Sequence, residues 1–172
     1  MLAVLAAPTL SSISIARTMP ASPMNSDNTL ASLAMKAELR ELVDRFSVLA
    51  DRKEALAQTR LFTQNAIVET FVAGKSVSRL EGREAIGKAF DRFLNGFDIV
   101  YHFNGQHLVT VDGETATGDL YCMTYLFSTE ESQKFRTTIG VRYRDAYVRQ
   151  NGAWLIAGRT SFFDWRQKEK TD

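Results

Sequence analysis

Few side chains can move a proton near neutral pH, and this chain has two histidines, His102 and His107, that could do so. Both lie in residues 101–111, where apolar and polar side chains alternate as on a β-strand. Alternation places His102, Asn104, Gln106 and Leu108 on one side and Tyr101, Phe103, His107 and Val109 on the other. The two imidazoles are therefore expected to point oppositely, His102 as a candidate general base and acid, His107 as an outer-face or dimer-surface residue. Tyrosine hydroxyls are the next candidates, because they can donate to a developing enolate without becoming charged. Tyr121 and Tyr125 share a face with Met123, and Tyr143 and Tyr147 share one with Asp145. Tyr125 and Tyr143 are the candidate donors, against the plainer reading that half-buried tyrosines fill space on a sheet. Asp145, Arg142, Arg144 and Arg159 suit cross-strand charge pairs of modest worth. Cys122, between Tyr121 and Met123, has no adjacent base to lower its thiol pKa and reads as a small buried hydrophobe.

Other chemistries lack their residues. No third His, Cys or carboxylate stands at ligand spacing on the face of either histidine, and there is no HExxH, so no metal is expected. GxGxxG, GxxxxGK[ST] and GxSxG are absent, and no cofactor is implied. The balance of 21 basic and 20 acidic residues, net +1, contains no Lys/Arg run able to track a phosphate backbone, so nucleic acid is not an expected partner. After residue 30 no apolar stretch nears the roughly 18 residues of a membrane span, and no membrane partner is expected either.

The elements that must position these residues fit one domain in a chain of 172 residues. Residues 1–30 hold all three prolines and one basic residue, Arg17, and read as a flexible tail or a weak targeting segment. The expected location is the cytoplasm, with secreted and organellar alternatives left open. From Leu33, apolar residues recur at threes and fours through Leu39, Leu42, Val43, Phe46 and Leu49, a long amphipathic helix ending at Asp51. Asp51 could cap a second, shorter helix running to Leu61. Residues 66–72 and 76–80 read as a hairpin turning at Gly74, and Ile86, Ala89, Phe90, Phe93 and Leu94 mark a third helix between Gly82 and Gly96. Residues 101–111, 115–127, 135–148 and 154–165 then form a meander, parted by Asp112-Gly113, a 128–133 loop and Asn151-Gly152. Helices first and strands after give an α+β layer architecture: three N-terminal helices packed on a curved mixed or antiparallel sheet, enclosing a conical cavity. Phe46, Phe62, Phe71, Phe90, Phe93, Phe97, Phe103 and Trp154 are mainly core, with some lining that cavity.

An ordered set of stretches carries a family resemblance: residues 61–66 (LFTQNA), 80–86 (LEGREAI), 102–113 (HFNGQHLVTVDG), Gly152-Ala153-Trp154, and Phe163-Asp164-Trp165. The chain resembles the SnoaL-like branch of the nuclear transport factor 2 superfamily over nearly everything from Leu33 to Arg166. That resemblance implies a cone-shaped cystatin-like α+β barrel over residues 31–168, and a homodimer through the open sheet face. Within the superfamily the chain is similar to scytalone dehydratase and related lyases, which pair an Asp at the end of the first helix with a His early in the third strand. Asp51 and His102 occupy those positions. The pattern departs at Ala50 and Thr70, where tyrosines are expected, and around Tyr125 and Leu126, where a second histidine is expected. The water-activating part of that chemistry therefore lacks its residues here.

The resulting expectation is a cofactor-independent lyase or isomerase, dehydratase- or cyclase-like, acting on a small hydrophobic carbonyl or hydroxy compound such as a polyketide. His102 is its base and acid, Asp51 the orienting carboxylate, and Tyr125 or Tyr143 the donor. The alternatives are a non-catalytic binder of an apolar small molecule and a dimeric accessory subunit.

Overall fold

A computed structural model describes residues 26–171. The order is α1 (Ser26–Asp51), α2 (Ala55–Thr59), β1 (Phe62–Val72), β2 (Lys75–Glu81), α3 (Arg83–Leu94), β3 (Ile99–Asp112), β4 (Thr115–Glu130), β5 (Gln133–Gln150) and β6 (Ala153–Thr171). The tail expectation falls largely on residues 1–25, outside the described residues, and α1 begins at Ser26. Leu39, Leu42, Val43, Phe46 and Ala50 form the buried stripe of α1, whereas Leu30 and Leu33 stand in solvent.

The six strands make one sheet in the order β2-β1-β6-β5-β4-β3. Every neighbouring pair is antiparallel except β1 with β6, which run parallel and make the sheet mixed. The sheet does not close: β2 and β3 remain edges, so the expected barrel is an open, bent sheet with helices on its concave side. Register shifts in β1, β3 and twice between β5 and β6 supply bends, because an extra residue on one strand increases local twist. The expected 128–133 loop is instead a tight hairpin, with only Glu131 and Ser132 (φ 49° and 68°) between two long strands.

The core lies between helices and sheet. Phe46 is its hub, in edge contact with Phe62, Phe90 and Tyr143 at centroid distances of 5.9, 5.8 and 6.4 Å. On the far face of the sheet Trp165 lies flat over Gly140, where an added Cβ would sit 2.2 Å from the indole nitrogen.

Candidate functional site

α1 and β3 meet along a polar seam. Being an edge strand, β3 leaves alternate backbone groups without a ladder partner, and buried groups of that kind must be satisfied locally. A helical stripe at Arg40, Asp44, Ser47 and Asp51 does this. Arg40 donates to the Gly105 carbonyl at 2.8 Å and to Asp44 at 2.8 Å. Asn104 donates to Asp44 at 2.9 Å and accepts from the Ser47 hydroxyl at 3.1 Å. At the end of the stripe, Asp51 Oδ1 accepts the His102 backbone N–H at 3.0 Å and lies 2.7 Å from His102 Nδ1. Asp51 therefore serves the strand edge and the imidazole together, and makes no cap for α2, whose N-terminus has no side-chain cap.

That geometry sets the tautomer. A carboxylate oxygen accepts, so Nδ1 carries the hydrogen and Nε2 keeps its lone pair. The His102 side chain is 8% exposed, Asp51 24%, and His102 lines a cavity of about 400 Å³ between α1, α3, the β1–β2 hairpin and the concave sheet. Its wall is chiefly apolar, with Phe46, Val68, Leu80, Phe90, Phe93 and Ile139 contributing. Ala50 and Thr70, the positions of the absent tyrosines, also line it.

A second polar cluster is buried in the sheet at the cavity wall. Asp145 and Arg159 are direct cross-strand partners whose side chains are 0% and 1% exposed, joined by bonds of 2.8 and 2.6 Å. The Arg159 guanidinium lies 4.2 Å from the ring centroids of both Phe46 and Tyr143, which meet each other edge to face. Burial pulls its pKa down, but Asp145 more than offsets this and the net shift is upward, so the group is a permanent cation. Its Nη1 has no hydrogen-bond partner among the described residues, and the residue lines the cavity. The cross-strand pairing is the one the sequence suggests, but it is fully buried, where removing one partner strands a charge, rather than the modest pair expected.

Tyr147 donates to Asp145 at 2.8 Å and takes a hydrogen bond from His107 Nε2 at 3.2 Å. His107 is therefore not an outer-face residue. A bulge between Asn104 and His107 shifts the register by one, turning His102 and His107 to the same side. Burial, counteracted by Asp145, lowers the His107 pKa. Gly118 makes the contact possible, since a Cβ there would come within 3.0 Å of both His107 Nε2 and the Tyr147 ring.

Tyr143 reaches the cavity, while Tyr125 does not. Thr124, Leu126 and Cys122 turn inward on β4, which puts Tyr125 on the outer face, where its ring lies 6.4 Å from that of Tyr101. Tyr143 is buried against Phe46, burial raises its pKa, and its hydroxyl has no hydrogen bond among the described residues. Phe103, expected in the core, is 63% exposed on the same outer face as Tyr125. Cys122 is buried, with its thiol pushed up to about 11 by burial, as suits an inert packing residue. Five residues of the site carry no functional signal of their own type: Arg40, Asp44 and Ser47 of the seam, and Gln58 and Arg159 of the cavity wall. Only the seam residues are visible as a pattern, a polar stripe at i, i+4 and i+7, continued by Asp51 at i+11, on the flank of an apolar one.

Comparison with known proteins agrees with this architecture. A family model for the SnoaL-like domain matches residues 31–160. A scytalone dehydratase-like protein from Novosphingobium aromaticivorans superposes with a TM-score of 0.71 at 16% identity, over 84% of this chain and 93% of its own. A nuclear-transport-factor-2-like protein with a cystatin-like fold from the same organism gives 0.63 at 26% identity, over 83% and 92%. The type 3 hexachlorocyclohexane dehydrochlorinase LinA of Novosphingobium barchaimii gives 0.68 at 16%, over 82% and 94%.

Proposed function

Since the chain belongs to the SnoaL-like domain family, whose fold is shared by dehydratase-like and dehydrochlorinase proteins, we propose that it is a cofactor-independent lyase or isomerase acting on a small hydrophobic carbonyl or hydroxy compound. The observation that carries this reading is the 2.7 Å contact of Asp51 with His102 Nδ1 at an apolar cavity, which leaves Nε2 as a base. In the forward step Nε2 takes a proton from carbon beside a carbonyl, and the electron pair of that C–H bond forms the new double bond. The group on the next carbon departs, and when it leaves as hydroxide it takes the proton from His102 and becomes water. An isomerase would return the proton to another carbon. Asp51 holds the imidazole in one tautomer and stabilises the imidazolium between the two transfers. The Tyr143 hydroxyl supplies a hydrogen bond to the carbonyl oxygen as it gains negative charge.

The test is turnover on a panel of cyclic β-hydroxy ketones. His102→Ala should lower the rate about 10²–10⁴-fold with the circular dichroism spectrum unchanged. Equal rates in the two proteins would remove the proposal.

We also propose that the outer sheet face, with Tyr101, Phe103, Tyr121 and Trp165 exposed, pairs with a second copy of the chain.

A further inference from the structure

The cavity wall carries fixed charge of one sign. Among its lining residues are two arginines, Arg159 and Arg166, and no carboxylate. Asp145 already balances Arg159. Arg166 is exposed and makes no hydrogen bond or ion pair among the described residues. Glu130 feels its charge, but that carboxylate is held by Lys168 at 2.6 and 2.7 Å. The sheet register fixes where this unpaired cation stands. His102 pairs with Thr124, Thr124 with Ile139, and Ile139 with Arg166, so the four form one row across β3, β4, β5 and β6. Directly opposed residues project from the same face, and all four line the cavity. Three strand spacings of about 4.8 Å put the ends of the row roughly 14 Å apart at the backbone, and the concave bend brings their side chains closer. His102 is the shielded end, 8% exposed, and Arg166 the open one.

We propose that Arg166 is a specificity-determining residue that receives the carboxylate of a ring-containing substrate whose other end is presented to His102. This rests on the lyase or isomerase reading of the same cavity and names its substrate class: a carbonyl or hydroxy compound with an apolar middle and a carboxylate at the far end. Val68, Phe90 and Ile139 supply apolar wall for the middle. An anion sunk deep in the cavity would lose its hydration without an unbalanced partner, since Asp145 neutralises Arg159. At the open end a carboxylate keeps part of its water and meets a forked guanidinium able to bond both of its oxygens. One unpaired cation matches a single negative charge, not the nearly two charges of a phosphate monoester. The apolar body enters first and the carboxylate stays at Arg166, which decides the end of the ligand that reaches His102 Nε2. A neutral ligand of the same shape lacks that anchor.

Matched bicyclic probes test this without any turnover. Calorimetric titration of the full chain should show 2-naphthoate binding about ten-fold tighter than 2-naphthamide, its neutral isostere, with the gap narrowing as salt is raised. Arg166→Gln should bring the two probes within about three-fold of each other while leaving the affinity for 2-naphthamide unchanged. Arg166→Lys should keep part of the preference, because the charge stays and the fork is lost. Lys36→Gln removes the same charge from an exposed position of α1 outside the cavity and should leave the preference whole. Equal affinities in the wild type, a preference that survives Arg166→Gln, one that falls as far in Lys36→Gln, or no binding of 2-naphthoate would each overturn the assignment. The catalytic reading is judged apart, by the rate of His102→Ala on neutral β-hydroxy ketones. Rate loss there with equal probe affinities would sink this inference alone. An unchanged rate beside a preference that depends on Arg166 would remove the catalysis and leave the carboxylate site standing.

Discussion

His102 owes its proposed reactivity to one oxygen, Asp51 Oδ1, which fixes the ring through Nδ1 and the strand through the backbone N–H. Asp51→Asn keeps an acceptor for the backbone but can also turn its amide toward the ring, where it favours the wrong tautomer. The expected result is a rate about 10²-fold lower with little loss of stability, and nitrogen NMR of the imidazole should show a mixture of tautomers in place of the Nδ1–H form. An unchanged tautomer would contradict the assignment. Asp145 behaves differently, because its loss strands a cation that is 1% exposed. Asp145→Leu should cost about 3–5 kcal/mol in denaturant unfolding, and the double change Asp145→Leu with Arg159→Met should recover most of it. His107 adds a pH dependence. Its pKa is lowered in the fold, chiefly by burial and against the pull of Asp145, so below about 6.5 the unfolded chain binds the proton more readily. Its contribution is complete above that pH and is lost as pH falls through the lowered folded value. Thermal midpoints measured from pH 7.5 to 5.5 should therefore drop less in His107→Gln than in the wild type.

Elements decide which of these side chains meet. The helices and the meander are legible in the sequence because their apolar periods, as in Leu39, Leu42, Val43 and Phe46, differ plainly from the alternation of residues 115–127. Asp51 and His102 could be matched to their elements, but not shown to touch, since contact across a fold leaves no local spacing. Alternation also failed at one point with wide effect. The bulge after Asn104 inserts a residue without changing composition, so His107 was assigned to the wrong face, whereas Tyr125, beyond it on β4, was misplaced for lack of any landmark saying which face is concave. A bulge is a matter of pairing, and pairing is not local. Deleting Gln106 should test the point: α1 pins Asn104, so removing the extra residue leaves His107 two positions beyond it, on the same side by plain alternation, and both its lowered pKa and the Asp51 contact should persist. An NMR-measured pKa returned to about 6.5 would show that the residue count does not set the facing.

The molecule as a whole has two unlike sides. The concave side spends its aromatics on the cavity and core, and the convex side exposes Tyr101, Phe103, Tyr121 and Trp165, the last 47% exposed over Gly140. Charges on that face are already paired within the chain, Arg142 with Asp164 and Arg144 with Asp119, so a second copy meets little unpaired charge there. A two-fold pairing would let each aromatic row cover its counterpart, and a stable dimer needs roughly 800 Å² from each partner, within reach of a face of four long strands. Sedimentation velocity across a hundred-fold range of concentration should give a dimer for the wild type and a monomer for Phe103→Asp combined with Trp165→Asp, with the circular dichroism spectrum retained. Gly140→Ala, which lifts the indole from its seat, should weaken the dimer in the same direction and blue- or red-shift the tryptophan emission. A wild type that stays monomeric throughout, or a double variant that still dimerises, would place the contact on another surface.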